Sequence, residues 1–482
     1  MPPRPSDHAV GKNLTSVKLS VVAGLPGPEG LKTHLRGHLL RMSNVGALRV
    51  LVTGATGYIG GRLVPRLLEA GHHVRVLVRD PAKIRTVPWA DDVEIARGDL
   101  TDAASLREPF RDVDVVYYLV HSMNSDGDFE EAERRSAENV ATAARDAAVG
   151  RIVYLGGLHE HSDRLSTHLR SRTQVGEILI ESGVPTMVLQ AGVVIGAGSA
   201  SFEMIRHLTN RLPVMTTPRW VNNHIQPIAV GDVLHYLTAA ATAAIPESRT
   251  YDIGGPDVLR YGEMMQIYAE VAGLARRRIL VLPVLTPKLA GLWIGLVTPV
   301  PLSIGRALIE SLSTDAVAYE HDIDTIIAAP SGGLTPYRDA VALALRNAES
   351  TEAGWDGTAA DPLPTDPAWT GEIVYTESHD ADVRADPERV WETLLHWASR
   401  HGHWTVENKQ EPTLLELHGA GRARLQWRIE SVVPGRTRLH QHVSYMPKGL
   451  PGQLYWLGLK PVHRIGLRRA MQTVVRQSES PR

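Results

Sequence analysis

The sequence predicts an α/β fold, in which helices cover a doubly wound parallel sheet, followed by a smaller α+β domain. Three observations support this prediction. A glycine-spaced turn follows the first strand, short apolar strands alternate with helical periods from residue 48 to about 189, and alternating apolar residues return after residue 370. With 482 residues, 43% of them hydrophobic, the chain is long enough for two or three domains.

The first strand, predicted over residues 48–52, runs directly into Gly54, Gly57 and Gly60. The first glycine permits a tight turn, the second lets backbone N–H groups approach a phosphate, and the third lets the next helix pack closely on the sheet. Because a helix N-terminus attracts anions, the pattern predicts a dinucleotide at the start of helix 58–70. The alternative is a glycine-rich turn without a ligand, which the flanking strand and helix disfavour.

The rest of this domain follows from the same alternation. Further strands are predicted over 73–78, 93–96, 113–119, 151–155 and 186–189, with amphipathic helices between them, such as 129–148 and 164–182. From 192 to about 347 the alternation loosens into helices, proline-rich loops and one further strand at 250–253. We expect a small substrate lobe there.

Residues 349–370 have the composition of a linker, and a different pattern begins after them. We expect a helix at 387–397, strands at 413–418, 423–432 and 437–445, and a long amphipathic helix at 453–477. The predicted domains are a disordered extension at 1–46, a dinucleotide-binding domain at 47–348, the linker, and an α+β domain at 371–482. Met42 is a candidate translation start.

Charge and composition exclude several function classes. Lys and Arg number 51 and Asp and Glu 53, for a net charge of −2, which gives no electrostatic case for nucleic acid. The cations of the last helix, Arg464, Arg468, Arg469 and Arg476, are interpreted as a solvated face. The chain has no cysteine, which excludes disulfides and thiolate chemistry and is compatible with a reducing, cytoplasmic location.

No apolar run reaches the roughly 18 to 20 residues that span a bilayer. The nearest, at 279–304, is interrupted by prolines and Lys288, and we interpret it as a pocket wall or core, with peripheral membrane contact as the alternative. His72, His73, His159 and His161 lack a third ligand at recognisable spacing, so no metal site is predicted, and we interpret them as surface or loop residues.

Seven short motifs carry a family resemblance over about three hundred residues. They are Thr53–Gly60, Gly98–Asp102, Tyr118–Met123, Tyr154–Leu158, His168–Arg172, Gln226–Ile228 and Asp252–Pro256. On these residues the chain from 48 to 347 resembles the atypical, extended short-chain dehydrogenase/reductases of the NmrA-like branch. The resemblance implies a Rossmann fold that binds NAD or NADP. It places Asp99 and Leu100 at the adenine and the segment from Leu119 through Val120 and His121 beside the nicotinamide-side ribose.

The C-terminal residues carry a second resemblance. On Asp386–Trp391 and Pro447–Trp456, residues 383–478 resemble an SRPBCC (START-like) helix-grip domain of the uncharacterised type often fused to such reductases. Helix-grip domains usually wrap an apolar cavity, which implies an apolar ligand. The stretch between Trp397 and Leu414 is short for that family.

The end of the second strand bears on the choice of cofactor. A carboxylate there binds the ribose 2′-OH of NAD, whereas a cation accepts the 2′-phosphate of NADP. Arg79 occupies the tip, and Lys83 and Arg62 add positive charge, so NADP is predicted. Asp80 is interpreted as a turn residue before Pro81, which leaves NAD as the alternative. The full set of predicted cofactor contacts is Gly54, Thr56, Gly57, Tyr58, Ile59, Gly60, Arg79, Lys83, Asp99, Leu100, Leu119, Val120, His121 and Arg172.

The active site lacks the usual residues. A typical enzyme of this superfamily uses a Tyr-x-x-x-Lys pair, in which the ammonium lowers the pKa of the phenol. At the corresponding spacing this chain has His168 and Arg172, and the preceding strand ends in Gly156-Gly157 where Ser or Thr is expected. We expect His168 to be the proton donor and Arg172 to hold the ribose. The alternative is that His168 has no proton role.

Two function classes follow. One is an NADP-dependent oxidoreductase acting on a small, fairly apolar carbonyl or alkene, in a pocket built from residues 120–123, loop 190–198 and helix 202–207. The other is a non-catalytic NADP-binding sensor or scaffold. The sequence identifies neither the substrate nor the oligomeric state.

Overall fold

A computed structural model describes residues 46–120, 129–159, 165–281, 297–349, 365–366, 375–402, 404–419, 423–447 and 449–480. The predicted disordered extension, Met42 and most of the predicted linker lie outside these residues. Residues Ala47–Arg482 form one compact unit. None of the helices in the described part of the chain has the length and hydropathy that a membrane crossing requires.

The main sheet has seven parallel strands, which confirms the predicted fold class. Their spatial order is β11-β6-β5-β4-β1-β2-β3, with β1 Arg49–Thr53, β2 His73–Val78, β3 Glu94–Arg97, β4 Val115–Tyr118, β5 Arg151–Gly157, β6 Thr186–Ala191 and β11 Arg249–Ile253. The strand predicted at 250–253 therefore belongs to this sheet, where it pairs with β6. The order reverses between β1 and β4, and ligands of such sheets bind in the crevice at the carboxyl ends of those strands.

Five helices flank the sheet and form the wall of the adjoining lobe: α1 Tyr58–Glu69, α2 Phe129–Asp146, α3 Thr167–Ile180, α4 Ala200–Arg211 and α5 Val230–Ala240. The prediction of helices between all strands is wrong for the connections on either side of β3. Those contain 3₁₀ turns at Pro81–Ile84, Ala90–Asp92 and Ala103–Leu106. Pro81 and Pro88 both lie in the first connection, where proline interrupts the hydrogen bonding of a longer helix.

The lobe after β6 contains more strands than the single one predicted. Three two-stranded ladders pair β7 Val194–Ile195 with β10 Ile228–Ala229, β8 Val214–Thr217 with β13 Arg278–Val281, and β9 His224–Ile225 with β12 Leu259–Arg260. Strands this short cannot show the period-2 alternation by which strands are recognised. The lobe also contains α6 Tyr261–Val271, α7 Leu302–Ser311 and α8 Tyr337–Glu349, and its core includes Phe202, Met264 and Met265.

The C-terminal residues form an α+β domain with a five-stranded antiparallel sheet. Its order is β14-β18-β17-β16-β15, with β14 Tyr375–Val383, β15 Thr405–Gln410, β16 Leu414–His418, β17 Ala423–Val433 and β18 Arg436–Tyr445. Two helices, α9 Pro387–Arg400 and α10 Gly449–Glu479, complete it. The sequence prediction missed β15 because every residue in it is exposed, so it shows no apolar alternation.

The core of this domain packs Trp391 and Trp427, both fully buried, between α9 and the sheet. A cavity of about 620 Å³ has a wall that includes Trp397, Tyr445 and Trp456. The cavity lies in the domain for which the helix-grip resemblance implies an apolar pocket, and that resemblance stays a prediction.

Candidate functional site

The turn after β1 is held by close contacts between backbones. Gly54 has a φ of +79°, and a Cβ there would lie 2.7 Å from the carbonyl oxygen of Leu119 on the neighbouring strand connection. A Cβ at Gly60 would lie 2.2 Å from the carbonyl oxygen of Gly54. Both contacts are too short for any side chain, so β1, α1 and the end of β4 can meet only with glycine at these positions.

The N-terminus of α1 is open to an anion. Gly57 is its N-cap and provides no side-chain acceptor for the first N–H groups of the helix. The N–H of Gly57 itself donates to the carbonyl of Gly54 at 2.9 Å, which closes the turn. Thr56 and Gly57 are exposed beside it. A glycine-lined turn next to uncapped N–H groups fits the pyrophosphate of a dinucleotide.

One cavity joins this turn to the predicted catalytic residues. Of the predicted site residues, its wall contains Gly54, Gly57, Tyr58, Ile59, Gly60, Leu119, His168 and Arg172. Thr56, Arg79, Lys83, Asp99, Leu100 and Val120 are not in that wall, and His121 lies outside the described residues. The structure therefore brings the glycine turn and the His168–Arg172 pair together and leaves the residues expected at the adenosine end outside this cavity.

The tip of β2 presents exposed cations. Arg79 and Lys83 are both exposed. Asp80 accepts a hydrogen bond from the backbone N–H of Ala82 at 3.0 Å, so its carboxylate caps the turn that follows. Hydrogen bonds from the backbone N–H of Thr101 and, less strongly, from its hydroxyl lower the pKa of Asp99, and the Arg79 guanidinium adds to the effect. Arg79 is therefore close enough to Asp99 to act on it electrostatically.

Arg62 does not add charge at that tip. Its Nη2 lies 3.0 Å from Oδ2 of Asp366, a residue of the predicted linker, and the same group donates to the carbonyl of Ala197 at 3.4 Å. The guanidinium also lies 4.0 Å from the centre of the Tyr58 ring. The contribution that the sequence analysis assigned to Arg62 is therefore wrong, because Asp366 holds the side chain elsewhere.

His168 lies in the first turn of α3. The helix is started by Ser166, whose hydroxyl accepts a hydrogen bond from the N–H of Leu169 at 3.2 Å. His168 is only 8% exposed. Burial, and to a lesser degree the Arg172 cation, lower its pKa to about 3. The imidazole is therefore neutral at neutral pH, and a neutral ring still has one N–H to donate.

Arg172 follows His168 by one helical turn and lies beside Gly157, the last residue of β5. A Cβ added to Gly157 would lie 3.3 Å from Nη1 of Arg172 and 3.5 Å from Cδ2 of Leu169. The guanidinium thus takes the space into which a side chain at residue 157 would project. The Nε of Arg172 is buried and has no hydrogen-bond partner among the described residues, so the group retains a donor.

The histidines outside this pair were predicted to be surface or loop residues. His159 lies in the loop after β5 and is only 7% exposed, with its Nε2 at 2.9 Å from the hydroxyl of Thr173 and 3.3 Å from Nε2 of Gln190. It is thus a buried, hydrogen-bonded loop residue. His73 is exposed as expected, and His161 lies outside the described residues.

The rest of the cavity wall comes partly from the predicted pocket helix 202–207, which contributes Met204, and partly from elements that the sequence did not connect with the site. It is formed by Ser199, Ala200, Ser201, Met204, Tyr261, Leu308, Ser311, Leu312 and Ala316. Glu203 fixes the loop before α4 by accepting the N–H of Gly198 at 3.0 Å. Residues 191–194 of the predicted pocket loop do lie in the wall. The hydroxyl of Tyr261 is buried without a hydrogen-bond partner in the described part of the chain. No local pattern in α6 or α7 marks them as pocket elements.

Comparison with known families agrees with this geometry. A family model described as NAD(P)H-binding matches residues 54–192, from the glycine turn to the end of β6. A second, described as a protein of unknown function (DUF2867), matches residues 310–470. Residues 54–192 of this chain are thus similar to NAD(P)H-binding domains, and residues 310–470 are similar to DUF2867 proteins. The DUF2867 match begins within α7 and crosses the predicted linker, and the predicted domain boundaries and the START-like resemblance stay predictions.

Several known proteins are similar to parts of this chain. Cinnamoyl-CoA reductase 1 of Oryza sativa subsp. japonica is 36% identical over 124 residues, which are 24% of this chain and 37% of that protein. The (4-alkanoyl-5-oxo-2,5-dihydrofuran-3-yl)methyl phosphate reductase of Streptomyces griseus is 29% identical over 232 residues, 46% of this chain and 74% of that protein. The ceramide reductase of Caulobacter vibrioides is 28% identical over 277 residues, which are 55% of this chain and 84% of that protein.

This chain spans little more than a third of the length of cinnamoyl-CoA reductase 1. Among solved structures, the Citrobacter sp. triphenylmethane reductase complexed with NADP(H) is 22% identical, with a TM-score of 0.49. The match covers 61% of this chain and 99% of that one. The family matches and the named relatives are consistent with oxidoreductase activity.

We expect Gly60→Ala to abolish NADPH binding, because the new Cβ would lie 2.2 Å from the carbonyl oxygen of Gly54 and must displace α1 from the turn. Titration calorimetry with NADPH measures the effect. Gly231→Ala is the matched control, since a Cβ there meets no atom within 4 Å in α5. Equal affinity in Gly60→Ala and the parent protein would contradict the assignment of the turn.

We expect the stability of the parent protein to fall more steeply on acidification than that of His168→Gln. An unfolded imidazole binds a proton near pH 6.5, whereas folded His168 does so only near 3. Between these values the unfolded state holds the extra proton. His168 therefore costs about 1.4 kcal/mol of unfolding free energy for each pH unit lost in that window, and nothing above it.

Urea unfolding at several pH values between 7 and 4 gives the two slopes. His73→Gln is the control, because His73 is exposed and its replacement leaves the buried site intact. Identical slopes for His168→Gln and the parent would show that His168 is protonated as readily in the folded chain as in the unfolded one.

Proposed function

We propose that the protein is an NADP(H)-dependent oxidoreductase that acts on a small, fairly apolar carbonyl or alkene. One observation carries the proposal. A single cavity connects the glycine turn to His168 and Arg172 and continues into a wall that is mainly apolar. Such a cavity has room for a cofactor at one end and for an uncharged substrate against the opposite wall.

The residues that would hold the cofactor lie at the carboxyl edge of the sheet. The glycine turn and the N-terminus of α1 would bind the pyrophosphate, and Arg172 the ribose hydroxyls. Arg79 and Lys83 would bind the 2′-phosphate of NADP. The planar guanidinium of Arg79 can donate two parallel hydrogen bonds to two phosphate oxygens. When bound, the nicotinamide supplies or accepts a hydride.

His168 would act as a neutral hydrogen-bond donor to the substrate oxygen. Its pKa of about 3 means that an imidazolium is absent at neutral pH, so the ring N–H is the proton it can offer. A fixed donor in a buried site stabilises the negative charge that develops on a carbonyl oxygen during reduction. The Arg172 cation, whose charge already acts on the imidazole, would add to that stabilisation.

The wall of the cavity suggests what the substrate looks like. Met204, Leu308 and Leu312 present apolar surface, whereas Ser201, Ser311 and Tyr261 contribute hydroxyl groups. A buried hydroxyl without a partner, such as that of Tyr261, costs free energy unless a ligand satisfies it. These features favour an apolar substrate that carries one or two oxygen atoms.

A non-catalytic NADP-binding sensor is the second candidate, and one contact favours it. Asp366 of the predicted linker contacts Arg62 on α1, the helix whose N-terminus would bind the pyrophosphate. A bound cofactor and the linker would therefore both contact α1. A sensor also needs neither the Tyr-x-x-x-Lys pair nor the Ser that this chain lacks.

We expect NADPH to bind at least about tenfold more tightly than NADH, and Arg79→Ala to remove most of that difference, because a lost charge-assisted bidentate contact has this magnitude. Titration calorimetry with both cofactors tests it. Arg85→Ala is the matched control, since Arg85 is an exposed arginine six residues further on. Equal affinities for NADPH and NADH in the parent protein would contradict the choice of NADP.

We expect His168→Ala to lower turnover about 10² to 10³-fold with little change in NADPH affinity, the usual loss when a fixed hydrogen-bond donor to a developing oxyanion is removed. Arg172→Ala should raise the Kd for NADPH as well. Arg170→Ala controls for changes to α3, because Arg170 contacts only exposed groups in the described structure, Glu130 and Thr167.

A panel of small aldehydes, ketones and enones, followed by nicotinamide absorbance, provides the assay. Unchanged turnover in His168→Ala removes His168 from the mechanism. If no compound is reduced while NADPH binds tightly, the sensor is the better description.

A further inference from the structure

The last helix of the chain exposes an unusual amount of apolar surface. We call the residues Leu454, Tyr455, Leu457, Leu459, Val462 and Ile465 the apolar face of α10. Each is between 37% and 62% exposed. They make up six of the seventeen large apolar residues that are exposed in the described chain, and all lie within twelve consecutive positions. Single exposed apolar residues are ordinary, but a cluster of this kind marks an interaction site.

The opposite side of α10 packs against the core of its own domain. Trp456, Met471 and Val474 are buried in the C-terminal core, and Leu467 packs against that core. In a helix these positions fall on one stripe, and Leu454 and Ile465 fall on the far side. Tyr455 and Val462 lie nearer the domain, because they also line the cavity beside Trp456. The first half of the helix thus exposes apolar residues on the side away from Trp456, and a cluster of this kind is normally covered by something.

The charged residues of α10 are almost entirely cationic. Lys460, Arg464, Arg468, Arg469 and Arg476 are all exposed, and the only acidic residue of the helix is Glu479 near its end. Arg464 is partly neutralised, with its Nε 3.2 Å from Glu377. The chain as a whole has a net charge of −2, so this basic helix is a local concentration of positive charge.

The arrangement of the cations relative to the apolar face is regular. Lys460, Arg464 and Arg468 recur every four residues and therefore line one edge of the face, between it and the buried stripe. Their long side chains can reach an anion while their stems stay against apolar surface. The helix accordingly presents apolar residues bordered by a row of positive charge.

We propose that α10 docks on the surface of an anionic lipid bilayer, with its apolar face in the boundary between headgroups and acyl chains. Lipid phosphates and carboxylates supply the counter-charge for the arginines and the lysine, and the acyl boundary receives the apolar side chains. A second copy of the chain fits less well, because two such helices would bring cations against cations. The proposal does not depend on the reductase activity.

Sedimentation of the full chain with vesicles tests the proposal. We expect binding to vesicles of phosphatidylserine and phosphatidylcholine, weak binding to phosphatidylcholine alone, and loss of binding as salt rises. The double variant Leu454→Glu, Ile465→Glu should lower the bound fraction about tenfold or more, since both side chains leave the apolar boundary. Because both residues are exposed, the fold should survive, and circular dichroism checks this.

Two further variants separate the contributions. Val432→Glu with Val433→Glu is the matched control, since these residues are 53% and 51% exposed in the same domain but lie at the end of β17. It should bind vesicles like the parent. Arg468→Gln with Arg469→Gln should weaken binding to anionic vesicles several-fold and reduce its salt dependence.

Three results would overturn the proposal. The first is equal vesicle binding by the parent and the Leu454→Glu, Ile465→Glu variant. The second is equal binding to anionic and zwitterionic vesicles. The third is a dimer of the parent in light scattering that this variant converts to monomer while neither binds vesicles, which would assign the apolar face to a contact between copies.

Discussion

The close approach of three backbone segments at Gly54 and Gly60 is the constraint on which the site depends. A Cβ added at Gly60 would lie 2.2 Å from the carbonyl oxygen of Gly54, and a Cβ added at Gly54 would lie 2.7 Å from the carbonyl oxygen of Leu119. Because these contacts admit no side chain, β1, α1 and the end of β4 converge at the point where the strand order of the sheet reverses. The cavity that contains His168 begins at this convergence, so its position is set by backbone packing before any catalytic side chain is considered.

The unusual residues of the active site form one consistent arrangement. Arg172 lies beside Gly157, where a Cβ would be 3.3 Å from its Nη1, so a side chain at residue 157 would require the guanidinium to shift by a few tenths of an ångström. Burial, together with the same cation, lowers the pKa of His168 and keeps its ring neutral. A neutral imidazole beside a fixed cation suits polarisation of a substrate oxygen better than transfer of a proton from an imidazolium.

Sequence reasoning predicted features that leave a periodic or local signal. The glycine turn, the buried parallel strands and the four-residue spacing of His168 and Arg172 on α3 are of this kind. The ladders of the lobe are too short for a period, and β15 is exposed on both faces. Contacts between distant residues were also missed. Arg62 contacts Asp366, which is 304 residues away in the sequence. The residues around Arg62 and the β2 tip therefore contained no information about this partner.

The same distant contact gives the linker a role in the cofactor site. A Cβ at Gly61 would lie 2.1 Å from the hydroxyl of Thr365, so this glycine is required by the linker and not by the phosphate turn. Asp366, with a side chain only 5% exposed, lies against an arginine that covers the ring of Tyr58, and Tyr58 is part of the cavity wall. Removing one partner of a buried ion pair leaves the other charge unsatisfied, so the linker cannot leave α1 without a cost there. Helix α10 also contacts α4, whose first turns line the cavity. A force that moves the C-terminal domain is thus transmitted to two walls of the cavity through described contacts.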